Sequence, residues 1–155
     1  MDDFEKFYKA AIRFLSFRPR SEKELKDYLV KKKCDDLTSK RIIESLTRDK
    51  FLNDQEFVRW WVEQRTILRP KASRVIKFEL KQKGISKELI EEFFENDESS
   101  ISDFVKALAL AEKKMVRLGK IEDKRKVYEK LGRFLASKGF DWDTIKEVID
   151  RSLSK

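Results

Sequence analysis

Apolar residues recur every three or four positions along most of this chain, and that spacing predicts amphipathic α-helices. The clearest case lies at the centre, between residues 51 and 85. Asp54 is predicted to be an N-cap there, because its carboxylate can accept a hydrogen bond from an N–H group of the first turn. Pro70 is predicted to end this helix and to open the next one. An apolar stripe between them is predicted to face the interior, and it consists of Phe57, Trp60, Trp61, Ile67 and Leu68.

The second helix of this central segment has an apolar face and a basic face. Ala72, Ile76 and Leu80 follow at helical spacing and are predicted to be buried, and Gly84 is predicted to end the helix. Basic residues lie elsewhere on the two helices, and they are Arg65, Arg69, Lys71, Arg74, Lys77 and Lys81. The segment is therefore a predicted helical hairpin with an aromatic interior and a cationic exterior.

Further helices are predicted on both sides of this hairpin. The predicted capping residues at their starts are Ser21 with Glu24, which form a capping box, then Thr38, Ser86, Ser102 and Asp141. Helical ranges are predicted over about residues 4–17, 102–119, 124–138 and 141–153. The polar and acidic residues 96–100 have no periodicity and are predicted to be a linker.

An internal repeat organises these helices into three similar units. The middle helix of each unit carries an equivalent apolar pair, namely Leu25 with Leu29, Ile76 with Leu80, and Leu131 with Leu135. The predicted domains are three three-helix repeats over residues 1–50, 51–97 and 98–155. A unit this small buries little apolar surface by itself, so neighbouring units are expected to stack. The predicted fold is all-α, with three tandem three-helix repeats in an elongated, curved array.

Composition supports this fold and indicates the kind of partner. Charged residues make up 43% of the chain, and only four glycines and two prolines occur, which favours long helices with short loops. Lysine and arginine number 37 against 29 acidic residues, so the net charge is +8. That excess favours polyanionic surroundings such as nucleic acid. Residues 88–103 form an acidic stretch that contains no lysine or arginine. We predict a solvated helix and linker there rather than a metal site.

Catalytic chemistry is poorly supported by the residue types present. The chain has no histidine, and its single cysteine, Cys34, can form neither an internal disulfide nor the usual nucleophile and base pair. No glycine-rich phosphate loop or metal-binding motif occurs, so neither an enzyme nor a cofactor is predicted. The start of the chain lacks the pattern of a signal peptide, and no apolar run could span a bilayer. A cytoplasmic location is therefore expected.

The order of residues across the three units resembles the RecX family, the bacterial regulators of the recombinase RecA. The first unit matches at Arg18, Arg20-Ser21 and Glu24-Leu25. The further matching positions are Phe51-Leu52-Asn53-Asp54, Lys83-Gly84-Ile85, Lys113-Lys114, Phe134-Leu135 and Lys138-Gly139-Phe140. One departure stands out, because the family usually has a glycine-rich turn before the proline of the second unit, whereas this chain has Thr66-Ile67-Leu68-Arg69-Pro70.

This resemblance implies a protein that binds along the groove of the RecA filament on single-stranded DNA. Occupancy of the groove would hinder ATP hydrolysis, strand exchange and the co-protease activity of RecA. It also implies a role in DNA repair, homologous recombination and the SOS response. A monomer is the simpler expectation, since no long heptad pattern occurs. Two other hypotheses remain, which are a direct DNA-binding helical module, as in helix-turn-helix proteins, and a protein scaffold.

The contact candidates for RecA or DNA are the basic residues of two segments. They are Arg65, Arg69, Lys71, Arg74, Lys77 and Lys81 in the central hairpin, and Lys113, Lys114, Arg117, Lys124 and Arg125 further along. Either set is also consistent with an ordinary solvated surface. Trp60 and Trp61 could stack on bases, but their shared stripe with Phe57 favours a place in the core. The predicted structural core is Phe57, Trp60, Trp61, Ile76, Leu80, Leu131 and Leu135.

Overall fold

The computed structural model describes residues 3–96, 102–120 and 123–154, and within these ranges every regular element is helical. The helices are α1 (Asp3–Phe17), α2 (Glu22–Lys31), α3 (Asp36–Arg48), α4 (Asp54–Glu63), α5 (Ser73–Gln82), α6 (Lys87–Asn96), α7 (Asp103–Leu118), α8 (Lys124–Ser137) and α9 (Trp142–Leu153). A π-helical turn, Gln64–Leu68, follows α4 directly. The predicted all-α fold is confirmed. Of the predicted linker, residues 97–100 lie outside the described residues.

Backbone contacts divide the chain into two compact units. The first contains α1–α3, the part of α4 up to Trp61, and Glu79–Asn96. Its core is formed by buried residues of the first repeat, which include Ala11, Leu25, Leu29, Ile42 and Leu46. Phe14 and Tyr28 stack beside this core with their ring centroids 4.1 Å apart.

The second unit contains Val62–Phe78 together with α7–α9. Ala72 from the start of α5 joins a core built from the three helices of the third repeat. The buried members from those helices include Ala107, Ala111, Leu131, Leu135, Ile145 and Ile149. Both units therefore combine residues of two neighbouring repeats. The predicted domain boundaries after residues 50 and 97 stay a prediction.

Several predicted helix ends are confirmed by their hydrogen bonds. Ser21 Oγ accepts from the N–H of Glu24, whose side chain accepts in turn from the N–H of Ser21, so the capping box is present. Ser102 and Asp141 also accept from N–H groups of the helices they precede. Gly84 follows α5 with a φ of +81°, a conformation that glycine adopts at little cost.

Two predicted caps are wrong. Helix α3 begins at Asp36 with Asp35 in the N-cap position, so Thr38 lies inside its first turn. Carboxylates near a helix N-terminus interact favourably with its dipole, which suits an earlier start at Asp35 and Asp36. In α4 the cap is Asn53, whose Oδ1 accepts from the N–H groups of Gln55 and Glu56. Asp54 is the first residue of the helix rather than its cap.

The end of α4 also differs from the prediction. The chain leaves this helix through the π-helical turn, which ends at Leu68, two residues before Pro70. Helix α5 begins only at Ser73, so Pro70 does not open it. Ile67 and Leu68 were predicted to face the interior, but 65% and 69% of their surfaces are exposed. The i→i+5 bonding of a π turn takes one residue more than an α turn, which rotates the following side chains away from the buried stripe.

Candidate functional site

The basic residues of the central hairpin differ widely in their surroundings. Arg69, Lys77 and Lys81 are exposed, whereas Arg65 and Lys71 are half-buried. Arg74 is exposed as a residue, but its Nε donates a hydrogen bond to the backbone carbonyl of Gly139. This contact ties the start of α5 to the end of α8, so Arg74 has a structural role within the second unit.

The second predicted set lies on α7 and at the start of α8. Lys113, Arg117, Lys124 and Arg125 are exposed. Arg125 Nε lies 3.7 Å from a carboxylate oxygen of Glu129 one turn later, an exposed ion pair of the kind that contributes little to stability. These four cations are therefore accessible to a partner.

Lys114 belongs to a groove between α7 and α8 that sequence reasoning recognised only in part. The groove is lined by Lys114, Leu118, Lys130, Arg133 and Phe134, and we call it the α7–α8 groove. The ammonium group of Lys114 lies 5.1 Å from the centre of the Phe134 ring, and that of Lys138 lies 5.6 Å from it. Lys130 and Arg133 were missed. Lys130 precedes Arg133 by three residues and Phe134 by four, so it shares a helical face with each of them.

The predicted aromatic core of the first unit is only partly buried. Phe57 is fully buried, whereas Trp60 and Trp61 are half-buried beside it. The ring centroids of Phe57 and Trp61 are 5.6 Å apart. Arg18 lies 5.3 Å from the Trp60 ring centre and Lys83 lies 5.3 Å from the Trp61 ring centre. Each indole therefore carries a cation on its face, which favours a structural role for the pair. The other predicted core residues, Ile76, Leu80, Leu131 and Leu135, are fully buried.

Those two cations meet at one carboxylate. Both terminal nitrogens of Arg18 donate to Glu24, and the Lys83 ammonium lies 3.3 Å from Glu24 Oε2. Burial raises the pKa of Glu24, but the hydrogen bonds from Arg18 and the Ser21 N–H, together with both positive charges, outweigh it. The pKa of Glu24 therefore lies below its ordinary value. This network links the start of α2 to the end of α5.

Asp54 and Asp103 make equivalent contacts in the two units. Asp54 Oδ1 accepts from the N–H of Glu22 at 2.8 Å, and Asp103 Oδ1 accepts from the N–H of Ser73 at 2.9 Å. Each aspartate is the first residue of a repeat's first helix, and each donor is the first residue of the preceding repeat's middle helix. Burial raises the pKa of Asp54, while its bond from Glu22 opposes that effect. The sequence could not assign this role, because the donor lies 32 residues away for Asp54.

A second contact recurs between the same pairs of repeats. Ser21 Oγ donates to the carbonyl of Lys83 at 2.8 Å, and the N–H of Ala72 donates to the carbonyl of Lys138 at 3.0 Å. Both acceptors directly precede the glycine that ends a middle helix. We call the aspartate contact and this carbonyl contact together the inter-repeat joint. One copy of the joint lies within each compact unit.

The joint of the second unit includes a buried lysine that the sequence did not reveal. Lys106 is 5% exposed, and its ammonium group donates to the carbonyl of Lys71 at 2.8 Å. The same nitrogen lies 3.3 Å from Asp103 Oδ1. Its charge is therefore compensated within the joint, as burial of an ammonium group requires. Phe57 holds the corresponding position in the second repeat, three residues after Asp54.

The described residues contain no cluster of histidine, cysteine or carboxylate side chains suited to hold a metal ion. The single thiol, Cys34, is buried, and burial raises its pKa. Among the same residues no helix is both long and apolar enough to cross a membrane. The candidate binding features among the described residues are the exposed cations of the hairpin and the α7–α8 groove.

Family models match all three repeats. They are the first, second and third three-helix domains of RecX, and they match residues 8–46, 53–92 and 102–149 respectively. This chain belongs to the RecX family. Its order of three three-helix repeats is confirmed by these matches, and it agrees with the fold described above.

Curated RecX proteins and solved RecX structures support the same assignment. "Regulatory protein RecX" of Clostridium tetani is 35% identical over 98% of this chain and 69% of the relative. That of Clostridium perfringens strain SM101 is 36% identical over 97% of this chain and 70% of the relative. The crystal structure of RecX from Lactobacillus salivarius matches with a TM-score of 0.76 and 28% identity, covering 97% of this chain and 96% of that one. These relatives support a regulatory role for the chain.

Proposed function

We propose that this chain inhibits RecA by binding in the groove of the filament that RecA forms on single-stranded DNA. The observation that carries the proposal is membership of the RecX family across all three repeats. In this proposal the chain acts by binding rather than by catalysis, in the cytoplasm and as a monomer. Reduced ATP hydrolysis, strand exchange and co-protease activity of RecA would follow from occupancy of the groove.

The placement of the cations supports contact with an acidic filament surface or with DNA phosphates. Arg69, Lys77 and Lys81 on the hairpin, and Lys113 and Arg117 on α7, are exposed. Arginine adds directional, forked hydrogen bonds to carboxylates and phosphates, while lysine acts as a point charge. Several weak contacts made by one chain raise its avidity through effective concentration.

The test is ATP hydrolysis by the cognate RecA on single-stranded DNA, titrated with this protein at near-physiological salt. We expect inhibition at well below one molecule per RecA protomer, because a molecule in the groove acts on the assembled filament. Unchanged hydrolysis at saturating protein would overturn the proposal. An order-of-addition series, with the protein added before or after filament assembly, separates blocked growth from action on complete filaments.

A second candidate function is direct binding of single-stranded DNA, and the α7–α8 groove favours it. Among the described residues, this groove is lined by three cations, Leu118 and the half-buried Phe134, and by no carboxylate. Cations can neutralise phosphates while an aromatic ring stacks on a base. Binding to an oligonucleotide without RecA should then weaken steeply with salt. The variant Lys130→Glu/Arg133→Glu should abolish that binding, while Lys146→Glu, an exposed lysine on α9, is the matched control.

A further inference from the structure

The π-helical turn exposes two large aliphatic side chains next to each other. Ile67 and Leu68 follow Trp60 and Trp61 by seven residues, so an uninterrupted α-helix would keep all four on one face. Instead the N–H of Arg69 donates to the carbonyl of Gln64 at 3.2 Å, which is i→i+5 bonding. The exposed fractions of Ile67 and Leu68 are consequently 65% and 69%. Turns of this kind occur often at functional sites.

The chain that contains these side chains is rich in basic residues. Residues 64–78 contain Arg65, Arg69, Lys71, Arg74 and Lys77, and they contain no aspartate or glutamate. An apolar tip in a basic stretch is complementary to an apolar depression with an acidic rim. Nucleic acid fits this tip poorly, because aliphatic side chains offer no ring for stacking and its outer surface consists of phosphates. The chemistry therefore favours a protein partner.

We propose that Ile67 and Leu68 insert into an apolar pocket with an acidic rim on a RecA protomer, with Arg69 contacting that rim. This assignment rests on the proposed function and names the surface that would make the contact. The π turn matters because it changes where the stripe of α4 points. In an uninterrupted helix, Ile67 and Leu68 would extend the stripe of Trp60 and Trp61. Exposed by the turn, they form an anchor for a partner.

The test compares variants of the full chain for binding to RecA filaments on single-stranded DNA. Ile67→Ser/Leu68→Ser should weaken binding at least tenfold, equivalent to about 1.4 kcal/mol, at both low and high salt. Arg69→Ala should lose affinity chiefly at low salt, since salt screens exposed charges. Leu37→Ser is the matched control, because Leu37 is 68% exposed on α3. Thermal unfolding of each variant checks that the fold is retained.

The outcomes separate this proposal from the one on which it rests. If wild-type protein binds filaments and the double variant binds equally well, the π turn is not the docking surface and the proposed function stands. Absence of wild-type binding would overturn both. If the double variant lost affinity for bare single-stranded DNA to the same extent, the partner would be nucleic acid and the protein pocket would be wrong. Loss of filament binding alone supports the proposal.

Discussion

Gly139→Ala should destabilise the joint between the second and third repeats. Gly139 has a φ of +93°, and a Cβ atom added there would lie 2.2 Å from Val75 Cγ2 and 3.5 Å from Ala72 Cβ. Neither neighbour is the far end of a flexible side chain, so α5 would have to shift. That shift would disturb the bond from the Ala72 N–H to the Lys138 carbonyl.

The size of the effect has two parts. A non-glycine residue in the left-handed region costs about 1–2 kcal/mol. Forcing an additional methyl group into a packed contact costs about 1–3 kcal/mol. Together they predict that Gly139→Ala lowers the free energy of unfolding by about 2–5 kcal/mol. Lys33 stands at the equivalent position of the first repeat with a φ of +64° and an exposed side chain, so only the backbone part applies there.

Urea denaturation followed by circular dichroism measures these changes as shifts in midpoint at a constant slope. Lys33→Gly is the control for the backbone part and should raise the free energy of unfolding by at most about 1–2 kcal/mol. Gly132→Ala, inside α8 with nothing within 4 Å, should be neutral or stabilising. Val75→Ala removes the clashing methyl groups and should restore part of the loss in the double variant. A Gly139→Ala variant as stable as wild type, or one not rescued by Val75→Ala, would refute this account of the joint.

Three other predictions concern the first unit and the hairpin. Trp61→Ala should destabilise the protein by less than the ~3–5 kcal/mol typical of a fully buried ring, because this ring is half-buried; full thermal stability with lost binding would identify it as a contact residue instead. Arg74→Glu/Lys77→Glu should weaken filament binding and also lower the melting temperature, since Arg74 donates to Gly139, whereas Lys77→Glu alone should weaken binding with a native melting temperature. Because the pKa of Glu24 is lowered in the folded protein, its ionised carboxylate stabilises the fold at pH values above the ordinary pKa of 4.5. This stabilisation is lost as the pH falls through the lower pKa of the folded state. The difference in unfolding free energy between wild type and Glu24→Gln should therefore shrink below about pH 4.5; a constant difference across that range would contradict it.

The joint changes how the motifs of the RecX family are understood in this chain. Arg18, Ser21 and Glu24 on one side, and Lys83 and Gly84 on the other, are distant in sequence but meet in the first unit. Their contacts hold neighbouring repeats together. A search for binding residues among such motifs would therefore select structural ones. The exposed cations of the hairpin and the α7–α8 groove are the better candidates for function.

Local features were predicted well because their causes lie within a few residues. The capping box at Ser21, the caps at Ser102 and Asp141 and the stop at Gly84 depend on side chains and backbone preferences near each helix end. Asp54 failed as a predicted cap because two local candidates competed. The side chain of Asn53 accepts a hydrogen bond from an N–H group of α4, whereas the side chain of Asp54 accepts one from the first N–H group of α2. Only the packing of one repeat on the next could decide between them.

The sequence by itself determined the helices, the three repeats and the basic character of the surface, since periodicity and composition are local properties that packing does not alter. Tertiary structure decided which polar residues serve the fold and which remain accessible. Arg74 and Lys106 have the same charge as Arg69 and Lys113, yet the first two bond to backbone carbonyls and the others face solvent. The turn that exposes Ile67 and Leu68 was also beyond the sequence pattern. A single i→i+5 turn rotates the side chains that follow it away from the buried stripe, and the spacing of apolar residues does not reveal such a turn.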